Sequence, residues 1–356
     1  MSKKARSFVL LGVCLAIVYI FFSARPLGKE LHFIPAWTID VSRPVTVPAD
    51  SADLFENAIP FKLGQMLGYF TEDGTVLYST SFDYKATVAS QYYAPYSTHS
   101  ELIPVFTPQG SRTAAIEKTG FPFFTDDGMY LFLPGGSSFA RLSQDGAVLW
   151  TYEGCSPITA FATSPAGCAA GFADGAVISF TNDGAIDQQF SPTGSRYPVI
   201  LGIALSPAGD MVACVSGQDK QRFILAKKSG THTEIIFHEY LRHEVTRQVP
   251  VLFSKNSETV YYHEADGVGV VNTRSHKSSH IALEGKVLTM QESEENGYVF
   301  VLSRSDEDCT VSVVQPFDTH AGSFTFACGS AYMAVQNHAL FVGRDSEISR
   351  IDIVVQ

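Results

Sequence analysis

The chain has 356 residues, of which 45% are hydrophobic, 17% charged and 12% aromatic. So much apolar surface excludes an intrinsically disordered chain, and the length suits two ordinary domains or one large repeat fold. Thirty-six Asp and Glu against 25 Lys and Arg leave a net charge of -11, which argues against a general basic surface for neutralising nucleic-acid phosphates.

The N-terminus carries Lys3, Lys4 and Arg6, followed by an uncharged, apolar run over residues 7–24 that Arg25-Pro26 ends. At about 1.5 Å per residue such a helix spans roughly 26 Å, enough for a thin bilayer core. The basic flank stays cytoplasmic, which sends the rest of the chain outside. A signal-anchor is the preferred reading. Cleavage after Ser23-Ala24 is the alternative and would release the protein into the periplasm, but Phe22 stands where a second small residue is wanted. A lipidated Cys14 is disfavoured by Val13 and by the few apolar residues before it. The expected organisation is a membrane segment over 1–25, a linker with a ring-closing strand over 26–60, and one repeat domain over 61–356.

That domain reads as short strands almost throughout. Val, Ile, Phe and Tyr cluster in runs of five or six between turn residues, and Asp-Gly pairs stand at 73-74, 127-128, 145-146, 174-175, 183-184 and 266-267. Asp-Gly between apolar runs is a strong hairpin signal, because both residues tolerate positive φ. Two Ser-Pro-Ala-Gly turns, beginning at Ser164 and Ser206, lie 42 residues apart and each leads into a small apolar strand. Turn markers at 71, 125, 164, 206, 254, 293 and 336 are separated by 54, 39, 42, 48, 39 and 43 residues. A mean near 44 is the period of a propeller blade. The repeat after 157 divides into strands at 158–164, 168–173, 176–181 and 185–190. The last repeat has room for three, so its outer strand is expected from Thr38-Ile39-Asp40-Val41 or Pro44-Val45-Thr46-Val47, hiding two sheet edges. The predicted fold is an all-β, seven-bladed β-propeller behind one N-terminal transmembrane helix, with six or eight blades as alternatives.

The phrase Leu205-Ser206-Pro207-Ala208-Gly209-Asp210-Met211-Val212-Ala213 resembles the strand-turn-strand unit of WD40-like and TolB-like propellers. Asp145-Gly146-Ala147-Val148-Leu149-Trp150-Thr151-Tyr152 resembles the outer-strand phrase of quinoprotein-like (BamB-type) propellers. The Gly-His and Trp-Asp pairs of true WD40 repeats are absent. The resemblance implies a fold shared by scaffolds, binding proteins and enzymes, and it hints at envelope assembly as a setting without transferring an activity.

Motifs for catalysis are weak. His238-Glu239-Tyr240-Leu241-Arg242-His243 places its second His at i+5, so the two histidines of a metalloprotease helix are not formed. His232, His238, His243, His276 and His280 make a loose His-rich stretch whose spacing fixes no tetrahedron, and Ser305-Asp306-Glu307-Asp308 reads as a solvated loop. No nucleophile elbow, P-loop or cofactor motif occurs, and neither a metal nor a catalytic residue is assigned. Cys309 begins one predicted strand and Cys328 ends the next, which permits a cross-strand disulfide in an oxidising compartment; two separate thiols are the alternative.

Insertions carry more information. Residues 82–100 read as a long loop bearing Tyr84, Tyr92, Tyr93 and Tyr96, and residues 239–247 extend a link between repeats with Tyr240, Arg242 and Arg247. In a propeller these loop classes open on one face, and exposed Tyr and Arg are favoured interface anchors. The leading expectation is a non-catalytic, membrane-tethered extracytoplasmic platform that binds a protein partner in the cell envelope. The alternatives are a propeller enzyme (hydrolase, lyase or quinone-dependent dehydrogenase) and a small-ligand sensor with its site in the central channel. An apolar, Tyr-rich rim would favour the partner; convergent charged or His residues would favour the enzyme.

Overall fold

Runs of five to seven residues with an apolar alternation, closed by Gly- and Asp-containing turns, pair with their sequence neighbours into antiparallel hairpins. The computed structural model describes Tyr19 and residues 31–47, 53–293, 297–315, 317–337 and 339–355. These residues form eight four-stranded antiparallel sheets, so the propeller has eight blades rather than the expected seven. The predicted membrane segment lies, apart from Tyr19, outside the described residues. Among the described residues no helix is long and apolar enough to cross a membrane.

Blades three to seven are each built from four consecutive strands. Blade four, for example, uses Ile158–Ser164, Gly167–Phe172, Val177–Thr181 and Ile186–Phe190, close to the sequence-derived division. Blade eight combines Ala331–Gln336, Ala339–Arg344 and Glu347–Val355 with the early strand Leu31–Asp40, in which Ile39 pairs with Ile348. Both proposed closing phrases are used. The first closes blade eight, and the second forms Val45–Thr46, which pairs with Tyr78 and Ser79 on the outside of blade one.

The blade count differs because the 54-residue interval hides a module. Lys85–Val88, Tyr93–Tyr96, Ile103–Phe106 and Arg112–Ile116 form a complete blade two, where the sequence suggested a loop over 82–100. Its strands are only four or five residues long. The turn at Thr71 is also at a different stage of its blade from the other markers. Thr71 N donates to Thr75 O and Gly74 N to Thr71 O, the same pair of bonds that closes the turns at 107–111, 143–147 and 181–185 between third and fourth strands. The first strand of blade one, Ile59–Leu63, therefore runs opposite to the other innermost strands. Accordingly Gly64 at its end lies near Ser330 and Asp345, on the face where each blade hands over to the next. That face is called the linker face below.

The blades seal against one another through aromatic layers. Phe139 packs edge-on against Trp150, Phe161 and Phe180, joining blades three and four. Phe223 of blade five stacks on Tyr262 of blade six at 4.2 Å. The two tryptophans of the chain make equivalent latches. Trp150, on the outer strand of blade three, lies over Gly184 and donates from Nε1 to Asn182 O at 3.2 Å. Trp37, on the outer strand of blade eight, lies over Gly74 and donates to Glu72 O at 3.2 Å. Each ties an outer strand to the Asp-Gly turn of the following blade, where Gly supplies the positive φ (+88° and +93°) and leaves room for the indole.

Candidate functional site

The innermost strands of blades two to six converge on a cavity of about 800 Å³ at the linker-face mouth of the channel. That volume is in the range of small-molecule and peptide pockets. Its wall is aromatic. Phe121 and Phe123 lie on the first strand of blade three, Phe132 on its second and Phe161 on the first of blade four. Phe123 meets Phe161 edge-on at 5.8 Å and Phe132 at 6.1 Å. Phe121 and Phe123 remain 36% and 37% exposed, so their faces are open to a ligand. Leu201, Val249 and Val251 extend the apolar surface. The charged residue of this lining is Lys85, whose Nζ stands 5.8 Å from the centre of the Phe121 ring.

One wall is the linker from blade five to blade six. Val249 N donates to Leu201 O at 2.9 Å, and Gln248 Nε2 donates to Thr159 O, holding the linker across the channel mouth. Val245, buried against blade five, is clamped by Gln221 through bonds of 2.6 Å to its N and O.

The residues singled out from the sequence are dispersed. Tyr96 reaches the cavity and meets Phe121 edge-on at 6.4 Å. Tyr93 is buried at 2% exposure; its hydroxyl is 2.7 Å from that of Tyr78 and its ring stacks on Phe106, so it is a core residue of blade two. Tyr92 follows the first strand of blade two on the opposite face and packs on the core beside Ala89. Tyr84 is 73% exposed in the link from blade one to blade two. Tyr240 is 59% exposed, with the Arg222 guanidinium 5.9 Å from its ring centre. Arg242 and Arg247 are exposed on the linker. The Tyr cluster is thus not one loop: a regular strand pair sends Tyr92 and Tyr96 to opposite faces and buries Tyr93. Cys309 and Cys328 are joined by a disulfide, with Cα atoms 6.1 Å apart, at the end of the Asp308–Gln315 and Thr319–Ala327 pair.

A second constellation lies on the same face between blades five and six. Glu264 ends the second strand of blade six, Asp266 sits in the tight turn after it, and His280 lies on the outer strand opposite Gly269. Ligand atoms of these three side chains lie within 4.8 Å of one another. His280 Nδ1 is 3.2 Å from Glu264 Oε2, and its Nε2 is 3.6 Å from Asp266 Oδ2. His243, from the linker, brings Nε2 to 3.2 Å from Asp266 Oδ2. Behind them Tyr262 donates to Glu239 Oε1 at 2.7 Å. Gly269 makes this possible, since a Cβ there would stand 2.1 Å from the Tyr262 ring. Burial raises the Glu264 carboxyl above its usual range, and Asp266 and Glu239 add like charge. Burial lowers the His280 imidazole, which disfavours its cationic form. The sequence did not bring this group together: its members come from a linker, a strand end, a turn and an outer strand. The only signals were His243 and His280 in the His-rich stretch.

Three comparisons fit this architecture. A protein of Treponema pallidum (strain Nichols), described as uncharacterized, is 31% identical over 358 residues, 99% of this chain and 95% of its own length. The crystal structure of BamB from Moraxella catarrhalis superimposes with a TM-score of 0.61 at 11% identity, covering 90% of this chain and 100% of that one, a likeness of fold. A family model described as beta-propeller protein matches residues 1–355. With eight ring-closed blades and a family match over residues 1–355, the chain belongs to the beta-propeller protein family.

Proposed function

We propose that this propeller is a recognition platform, tethered to the membrane by its N-terminal segment, that holds a protein partner of the cell envelope. The partner would present an extended apolar segment with flanking acidic residues to the linker-face cavity. The observation that carries this reading is the composition of that cavity. Four phenylalanines and a tyrosine line it, with Lys85 as its charged group. Partly exposed aromatic rings in a concave, desolvating wall are the usual anchors of binding energy, and a lysine at the edge selects a carboxylate. One sequence feature and one structural feature support the compartment. Residues 1–25 have the charge and hydropathy of a signal-anchor. The Cys309–Cys328 disulfide suits an oxidising space.

Selection of a displayed random peptide library on the full chain tests the cavity. The expected consensus combines large apolar residues with Asp or Glu. Phe123→Asp should weaken the selected peptides at least tenfold, about 1.4 kcal/mol, and Lys85→Glu should reverse the preference for acidic flanks. Tyr92→Ala, on the opposite face, should leave binding unchanged. A consensus indifferent to Phe123→Asp would remove the cavity from this role.

A further inference from the structure

The Glu264–Asp266–His280 group has an unusual electrostatic balance. Glu264 and His280 have side chains only 3% and 8% exposed. Glu264 Oε2 and both ring nitrogens of His280 are buried and make no hydrogen bond of good geometry, although Nδ1 stands 3.2 Å from Oε2 and Nε2 3.6 Å from Asp266 Oδ2. Asp266 Oδ1 is in the same condition. Burying polar atoms without good hydrogen bonds is costly, and more so for charged groups. Glu239 places a third carboxylate at the edge. A surplus of buried carboxylate around an imidazole is the arrangement that a cation relieves.

The geometry points to a divalent transition-metal site of the zinc class, with Glu264, Asp266 and His280 as ligands and His243 as the fourth donor from the linker. Ligand-to-ligand edges in a tetrahedral zinc site are about 3.3 Å, given metal–donor bonds near 2.0–2.1 Å. With His280 binding through Nε2, its 3.6 Å to Asp266 Oδ2 and the 3.2 Å from His243 Nε2 to that same oxygen are close to that edge, and the ligand atoms of Glu264, Asp266 and His280 lie within 4.8 Å of one another. An imidazole among carboxylates suits zinc or its neighbours in the transition series. Calcium prefers six to eight oxygens, and magnesium keeps water and oxygen ligands. His243 is 63% exposed on its side chain, so it is free to rotate onto an ion held by the three inner groups.

The ion would pin the linker over residues 241–250 to the top of blade six. That linker also supplies Gln248 and Val249 to the wall of the aromatic cavity, but metal binding itself does not depend on what the cavity recognises.

The test uses the full, untagged chain, freed of metal by chelation and titrated with Zn²⁺ in a calorimeter, then with Co²⁺ for its visible spectrum. One Zn²⁺ per chain is expected, with Ca²⁺ failing to compete, and a Co²⁺ spectrum of low coordination number. Asp266→Asn and His280→Gln should each weaken Zn²⁺ at least 100-fold. His243→Ala should weaken it about tenfold. His232→Ala and His276→Ala, at exposed positions in the same His-rich stretch, should change nothing. Asp266 is half-exposed in a turn, so its variant retains the fold and keeps the test decisive if the His280 variant does not fold. Absence of stoichiometric Zn²⁺ binding, or binding that survives both Asp266→Asn and His280→Gln, would overturn the proposal.

Discussion

At the scale of single residues, the latches and the cysteines give the clearest consequences. Gly184 sits at φ +88° with the Trp150 ring where its Cβ would be, so Gly184→Ala adds left-handed backbone strain to a clash. The strain alone is worth about 1–2 kcal/mol. Trp150→Ala should cost about 3–5 kcal/mol, because it opens a void between Phe139 and Phe180. Urea denaturation of both variants checks the order. Cys168 and Cys214 are buried while Cys155 is exposed, and burial pushes both buried thiols up to about 12. In a Cys14→Ser background, one thiol should react with Ellman's reagent in the native protein and three in denaturant without reductant; a count of five would deny the Cys309–Cys328 bond. A raised thiol pKa favours the protonated form in the fold. Its contribution is complete below about pH 9, the unfolded value, and is lost as the pH climbs toward about 12. Stability should therefore fall above pH 9, and Cys214→Ala should make that decline shallower.

At the scale of elements, the ring depends on strands contributed from the other end of the chain. Leu31–Asp40 covers the edge of Glu347–Val355 along nearly its whole length. A chain beginning after Asp40 would expose that edge and strip Trp37 from the Glu72–Gly74 turn. It should melt at least 10 °C lower and aggregate, and adding a peptide of residues 31–40 should partly restore it. The sequence made this closure legible because the last repeat lacked a strand and two alternating phrases near residues 38 and 45 could supply one. Blade four was legible for the same reason, with Asp-Gly turns between apolar runs. Blade two was not. Lys85–Val88 is short and begins with a charge, the turn over 97–102 has no Gly, and Pro95 and Pro104 interrupt two of its strands. The Thr71 turn completed the miscount, since it carries an Asp-Gly signal at a different stage of its blade. The candidate site was less legible still. Phe121 and Phe123 read only as strand residues, and nothing local shows that their exposed faces look into the channel. Tyr93 looked like a surface anchor because its partners, Tyr69, Tyr78 and Phe106, come from other strands.

At the scale of the whole molecule, the two faces of the disc differ. The linker face gathers the aromatic cavity, Lys85, the blade-five linker and the Glu264–Asp266–His280 group. The opposite face holds the Asp-Gly turns at Asp73, Asp145 and Asp183, whose carboxyls are held below their usual range chiefly by the Ser or Thr hydroxyl two residues earlier. These are self-satisfied turns that present acid to solvent. A chain with a net charge of -11 therefore offers a partner two dissimilar surfaces. Burying the aromatic wall should make the linker face the docking side. The most direct measurement places a photo-crosslinking phenylalanine analogue at position 123 or, on the opposite face, at position 144, in the full chain expressed in its own cells. One discrete crosslinked species is expected from position 123, lost when Lys85 is changed to Glu, and none from position 144. Discrete crosslinks confined to position 144, with none from 123, would contradict it.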